Sequence, residues 1–316
     1  MAQGFNMEWR SQQEWGWLLT TWLFLSGTGS GLFLLFEIFD LPSSFALLSL
    51  STIVLGGVVL LLELGSPLRA WRGVSRLGTS WLSRGALSVA LFVLFGFLFI
   101  APKLTAFSWL PWEEGGVVAR TLGWLAGLCA LIITLYPGFF LAQNRSIPFW
   151  NTALLPVMFW CVALLGACGL SLLASSLLSA GLQGVEVAAG VLIVVNLFLV
   201  SIYLFTKSRS GGAAKESVRL LNTAPLNWTF WLGVVMVGMI LPFLVVIAMP
   251  SVAVVGGAGM LIGTFLFRYC VLKAGVYVPP ALISEGTKLT TRARPTSTQL
   301  QREYAAMAVH QAGGRG

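Results

Sequence analysis

Eight apolar runs, each about 20 residues long, divide this sequence and constrain its fold more than any other feature. A helix needs about 20 apolar residues to cross the hydrocarbon core of a bilayer, where backbone polar groups must bond within their own segment. The runs therefore predict an all-α membrane protein with eight transmembrane helices, which we expect to form two four-helix bundles. We place these helices at 15–39, 45–64, 81–100, 121–141, 152–178, 185–205, 228–248 and 251–271.

The composition leaves little room for anything outside the membrane. Of the 316 residues 57% are hydrophobic and 9% are charged, which excludes a large soluble catalytic domain. We assign 1–14 to an N-terminal segment, 15–277 to the transmembrane domain and 278–316 to a polar C-terminal tail. The net charge of +8 does not indicate nucleic-acid binding, because the basic residues sit in short loops beside apolar runs, where they encode topology.

Positive charge is distributed unevenly between the two ends of the predicted helices. An even number of helices puts both termini at one end, together with the loops after the second, fourth and sixth helices, and we call this end the terminal face. Of the 19 Lys and Arg residues, all but Lys103 and Arg120 are assigned to the terminal face. Because cytoplasmic loops carry the excess of Lys and Arg, the sequence predicts that both termini are cytoplasmic.

The sequence offers no evident redox centre of its own. Its one histidine, His310, lies in the tail, whereas haem in a membrane protein needs axial ligands, usually histidines, on the spanning helices. The four cysteines lie inside apolar runs and form no CxxC pair. We therefore expect neither haem nor an iron–sulfur cluster in this chain, so any electrons must enter and leave on other molecules.

Polar residues gather where the predicted helices meet the terminal face, and polar groups at such a boundary are candidates for function. Tyr136 precedes a Pro–Gly break, and its phenol is suited to hydrogen-bond a quinone carbonyl. The alternative is a boundary in which Glu63 pairs with arginines and Tyr136 is one more interfacial aromatic. The full set comprises Glu63, Arg69, Arg72, Arg84, Tyr136, Gln143, Asn144, Arg145 and Asn151.

Five segments, in order along the sequence, carry a family resemblance. They are WGWLLTTWLFLSGTGSGL, LELGSPLRAWRGVSRLGTSWLSRGA, LYPGFFLAQNRSIPFWNTALLPVMF, FWLGVVMVGMILPF and FRYCVLKAGVYVPP. Between Trp15 and Pro280 the sequence resembles the NrfD/PsrC-like family, the membrane subunits of polysulfide-reductase-type complexes. The LGSPLRA stretch also looks like the membrane anchor of dimethyl sulfoxide reductase.

The resemblance implies a haem-free subunit in a bacterial or archaeal cell membrane that binds menaquinone or ubiquinone among the lipids. It further implies an iron–sulfur partner subunit that connects the protein to a molybdopterin-type or other catalytic subunit. The quinone tyrosine of the family falls on Tyr136, and Glu63 matches the acidic position before its LGxPxR motif. The Asn and His contacts that the family has in its first helix fall on Leu19 and Trp22, so the residue types differ there. We therefore predict Glu63 as the catalytic residue, and the predicted quinone-binding residues are Tyr136, Trp22, Arg69, Arg84 and Asn144.

A second class of function is compatible with the residues. The protein could be a transporter, or a structural anchor whose arginines hold a soluble partner without any ligand chemistry. Transporters often have interrupted helices in matching positions of two halves. Here Gly27–Gly31 and Pro242 interrupt helices without such correspondence, which favours the quinone-reactive interpretation.

Overall fold

The structure is a computed structural model that describes residues 10–63, 78, 80–104, 107, 109–178, 182–223, 226–248 and 252–278. Within these ranges the regular structure is helical, apart from one isolated bridge between Ser11 and Val276. Eight of the helices in these ranges are long and apolar enough to cross a membrane. The predicted all-α fold with eight spans is therefore confirmed.

We number the helices of the described residues α1 to α9. A 3-10 turn, Ala101–Lys103, extends α3, and the middle of α8, Thr229–Ile240, is π-helical. All except the ten-residue α7 are candidate spans. The bounds are α1 Trp17–Phe39, α2 Ser43–Glu63, α3 Trp81–Ile100, α4 Val117–Ala142, α5 Leu154–Leu178, α6 Gln183–Arg209, α7 Ala213–Asn222, α8 Leu226–Ala248 and α9 Ala253–Lys273.

The short helix α7 is the element that the sequence analysis missed. It lies on the terminal face between α6 and α8 and buries one side, including Val218 and Leu221. The side chain of Asn222 at its end accepts a hydrogen bond from Trp231 Nε1 in α8 at 3.0 Å. A helix with one polar side contains no long apolar run, so a search for spanning segments passes over it.

Helix α1 is the most central element of the bundle. It packs against α2 and α4 on one side and against α5 and α9 on the other, so it joins the two predicted groups of four helices. Small residues make this possible, because a Cβ at Gly31 would lie 2.8 Å from the backbone oxygen of Ala163 in α5. The GTGSG segment of α1 is therefore a close-packing segment, as its composition indicates.

Contacts among the segment before α1, the segment before α5 and the end of α9 show which helix ends share the terminal face. The segment before α1 pairs with the segment after α9, with Gln12 N donating to Gly275 O at 2.7 Å. Trp150, just before α5, is fully buried, and its Nε1 donates to Val271 O in α9 at 2.8 Å. Trp15 stacks on Trp150 with a centroid separation of 5.1 Å. The starts of α1 and α5 and the end of α9 thus meet at one face, as the helix parity predicts.

Candidate functional site

An indole and a phenol meet inside the bundle near the terminal face. Trp22 belongs to α1, and Tyr136 belongs to α4, directly before the Pro137 inside that helix. Trp22 Nε1 donates to Tyr136 Oη at 3.1 Å, and both side chains are only 4% exposed. Because an indole N–H can only donate, the Tyr136 hydroxyl accepts this bond and keeps its own proton. Among the described residues no acceptor takes that proton, so the hydroxyl can donate to a ligand.

Two glycines give this pair its space. A Cβ at Gly85 in α3 would lie 2.5 Å from Tyr136 Cδ2, and a Cβ at Gly56 in α2 would lie 3.2 Å from Trp22 Cε3. Each of the first four helices therefore contributes one member of the site. The sequence analysis did not identify either glycine, because a glycine in a span shows a close approach without showing which neighbour approaches.

Glu63 ends α2 beside the beginning of α1. Its carboxylate lies close to the backbone N–H of Leu19 in the first turn of α1. That turn leaves such amides unpaired, because the first bond of the helix runs from Thr20 N to Gly16 O. Glu63 Oε2 is buried and has no hydrogen-bond partner in the part of the protein that the structure describes. Leu19 precedes Trp22 by about one helical turn, which places this carboxylate at the same end as the aromatic pair.

Arg84 lies on the terminal face next to the site, and its guanidinium turns toward its own loop. Its Nη2 donates to Gly78 O at 2.8 Å, and its Cζ lies 4.8 Å from the centroid of the Trp81 ring. Trp81 in turn stacks on Phe139 at 4.7 Å, one turn after Tyr136 on α4. Arg84 therefore packs on aromatic side chains beside the turn of α4 that follows Tyr136.

Asn144 is in the turn that follows α4. Its Oδ1 accepts from Ser146 N at 3.1 Å, a local bond that shapes the turn. It lies eight residues after Tyr136, so it belongs to the rim of the terminal face and not to the aromatic pair. Arg69 and Arg72 lie outside the described residues. The structure thus brings Trp22, Tyr136 and Glu63 to one end of the first four helices and places Arg84 and Asn144 at its rim.

The described residues contain no group of three His, Cys, Asp or Glu side chains that could hold a metal ion. The four cysteines are buried and unpaired with one another. The expectation that this protein carries neither haem nor an iron–sulfur cluster stays a prediction.

Arg268 is a residue that the sequence analysis misplaced. Its position near the end of the last helix assigned it to the charges of the terminal face, but it is 1% exposed inside the bundle. Its Nη1 donates to Thr264 O at 2.9 Å, and its Nη2 lies 2.6 Å from where a Cβ of Gly27 would be. A lone arginine within the run FLFRYCVL is the signal for an interior charge. However, Arg268 is also near a helix end, and a long side chain there can reach the membrane boundary.

The fold and these contacts define a multi-pass membrane protein whose polar groups gather at one end of its first four helices. The family described as "Polysulphide reductase, NrfD" matches residues 6–280, and the protein belongs to this family. It is 25% identical over 307 residues to "Protein NrfD" of Escherichia coli, across 83% of this sequence and 94% of the relative. It is 26% identical over 328 residues to the C subunit of the polysulfide reductase of Wolinella succinogenes, across 85% of this sequence and 98% of the relative. The resemblance inferred from the motifs is confirmed, and membership makes the protein a membrane subunit of a redox complex.

Proposed function

We propose that this protein is a haem-free, quinone-reactive subunit that exchanges electrons between menaquinone or ubiquinone and an iron–sulfur partner subunit. The observation that carries the proposal is the hydrogen bond from Trp22 to Tyr136, which leaves the phenol proton available to a ligand. The name of the Wolinella relative, which is one component of a polysulfide reductase, supports a role as one subunit of a larger reductase.

Tyr136 binds the quinone in this proposal and Trp22 positions Tyr136. The phenol donates its proton in a hydrogen bond to one carbonyl oxygen of the quinone headgroup. The indole holds the phenol oxygen from the other side, which fixes the direction of the hydroxyl. The absent side chain of Gly85 lets the Tyr136 ring pack directly against α3, where a larger residue would displace it.

Glu63 is the proton acceptor in this proposal. Oxidation of one quinol releases two electrons and two protons, and the electrons pass to the iron–sulfur partner. Trp22 cannot accept a proton, because its ring nitrogen is a donor only. The Glu63 carboxylate lies about one turn of α1 away and has one oxygen without a partner among the described residues. It can therefore accept the two protons one after the other and return each to water at the terminal face.

The partner subunit docks at the terminal face in this proposal, because electron transfer requires it near Tyr136. The rim residues Arg84 and Asn144 then contribute to the entrance of the quinone site and to its border with the partner. Arg69 stays a quinone-site residue predicted from the sequence. The iron–sulfur subunit connects the quinone to a molybdopterin-type or other catalytic subunit. The charge distribution favours a terminal face in the cytoplasm, which would put both partners there.

The experiment that tests the function is electron transfer in the purified complex. We expect extraction to recover menaquinone or ubiquinone, and we expect added quinol to reduce the terminal acceptor. An artificial dye that feeds the partner subunits directly serves as the control. Dye activity with neither bound quinone nor quinol-linked activity would instead identify the protein as a structural anchor.

A reporter fused after Gly316 tests the orientation. A reporter that is active only in the cytoplasm should be active, and one that requires export should be silent. The reverse pattern would contradict the charge argument and place the partner subunits outside the cytoplasm.

A further inference from the structure

Arg268 carries a charge that the described part of the bundle does not neutralise. An arginine side chain stays protonated even when it is buried. The ion pairs in the described residues join Lys103 to Glu114 and Arg219 to Glu216, and neither involves Arg268. Its Nη1 donates to the backbone oxygen of Thr264, and its Cζ lies 6.0 Å from the centroid of the Phe24 ring. Neither the carbonyl nor the ring carries a net charge, so both contacts leave the positive charge in place.

The surroundings of Arg268 contain unused hydrogen-bond donors. Its Nε has no partner within the described ranges, and the same is true of the Thr28 hydroxyl on α1, which is 1% exposed. Thr28 and Thr264 converge, because a Cβ at Gly166 would lie 2.7 Å from Thr28 Oγ1 and 3.2 Å from Thr264 Oγ1. The set forms a three-helix junction, made by Gly27 and Thr28 of α1, Ala163 and Gly166 of α5, and Thr264 and Arg268 of α9.

The chemistry of this three-helix junction specifies its occupant. A positive charge, an unpaired guanidinium N–H and an unpaired hydroxyl favour an acceptor that carries a negative charge. A water molecule could accept these bonds, but it could not neutralise the charge. The close approach of the three helices at Gly27 and Gly166 excludes a large ion.

We propose that the three-helix junction binds a small monovalent anion, chloride under ordinary conditions, as the counterion of Arg268. The anion takes hydrogen bonds from Arg268 and Thr28 and belongs to the folded state. Since α1, α5 and α9 all contribute to the junction, the anion also stabilises the contact between the two groups of four helices. This proposal does not depend on the proposed quinone chemistry.

Thermal unfolding of the full-length protein, purified in detergent, tests the site. The sodium concentration is held constant while chloride replaces gluconate, an anion too large for the junction. We expect the Tm to rise by about 3 °C in a saturable manner, because a ligand that binds only the folded state stabilises it. An equal Tm in chloride and gluconate would overturn the proposal.

Three variants test whether the chloride dependence of the Tm arises at the three-helix junction. Arg268→Met should abolish the chloride dependence, and Thr28→Val should raise the chloride concentration at half effect by about tenfold, because one hydrogen bond is lost. Lys207→Met is the matched control: Lys207 is also buried, but its Nζ donates to Pro148 O and Asn151 O, so its variant should keep the full response.

The Thr28 variant keeps the test decisive if Arg268→Met does not fold. Valine has nearly the shape of threonine and leaves the charge of Arg268 in place, so the variant should fold. A chloride response in Thr28→Val that matches the unmodified protein would place the anion elsewhere and overturn the assignment.

Discussion

The two sides of α1 contact buried polar side chains of different charge. Toward α2 and α4, α1 presents Trp22, a neutral donor that meets the neutral acceptor Tyr136 and leaves one proton free. Toward α5 and α9 it presents Gly27 to the charged Arg268 and Thr28 to Gly166, where donors remain without partners among the described residues. The side with Trp22 and Tyr136 therefore suits the neutral quinone carbonyl that we propose, and the side with Arg268 suits the proposed anion.

This difference in charge predicts an exchangeable ligand beside Tyr136 and a permanently bound ligand beside Arg268. A neutral hydrogen bond contributes about 1 kcal/mol net, so a headgroup can bind to Tyr136 and leave again with little penalty. A buried unpaired charge costs several kcal/mol, so its counterion is part of the folded state. We therefore expect substitutions beside Trp22 to change quinol kinetics, and substitutions beside Arg268 to change stability and its dependence on chloride.

Glu63→Gln should have the largest effect on quinol chemistry. The amide keeps the size of the side chain but is a much weaker base, so we expect quinol-linked turnover to fall about 100-fold. Steady-state kinetics of the complex with added quinol would measure the loss, with dye activity as the control. Unchanged quinol turnover, or a loss of assembly that lowers dye activity equally, would show that Glu63 only holds α1 and α2 together.

Tyr136→Phe should lower quinol-linked kcat/KM about 30-fold, because the ligand loses a donor and Trp22 Nε1 is left unpaired. Tyr203→Phe is the matched control. The Tyr203 hydroxyl is equally buried, but it donates to Phe149 O at 2.6 Å in the other group of helices. Equal kinetic losses in both variants would remove Tyr136 from the quinone site. The chloride dependence of the Tm should be the same in both variants as in the unmodified protein.

Gly85→Ala should raise the quinol KM about tenfold, because the added methyl group forces the Tyr136 ring to move and overpacking costs about 1–3 kcal/mol. Gly127→Ala in α4 is the control, since a Cβ there would have no neighbour within 4 Å. Titration of initial rates with quinol would show the difference. A KM that is unchanged in Gly85→Ala would mean that the position of the Tyr136 ring does not determine binding.

Trp22→Phe should have the smallest effect, about a threefold loss of quinol kcat/KM, because the indole acts through Tyr136 and not on the ligand. Trp231→Phe offers a control in which an indole on the same face loses its bond to Asn222. If Trp22→Phe were as severe as Tyr136→Phe, the indole would contact the quinone itself.

The sequence by itself determined the number and type of the spanning helices, because a spanning segment must be apolar for about 20 residues whatever it packs against. It also singled out Tyr136 and Glu63 as candidates, since polar groups beside a Pro–Gly break or at the end of a span are unusual in a sequence of this kind, and their roles stay predictions. The loop that contains Arg69 lies outside the described residues, so that prediction stays open.

Tertiary structure alone decided which side chains meet. The indole of Trp22 and the phenol of Tyr136 are 114 residues apart, and no local pattern encodes the hydrogen bond between them. In the same way, a glycine in a span announces a close contact, but only packing shows that Gly85 faces Tyr136 and that Gly27 faces Arg268. Arg268 lies in the interior because α9 packs against α1 and α5, with the Arg268 side chain against Gly27. This packing is a property of the assembled bundle, whereas hydropathy describes only the residues of one helix.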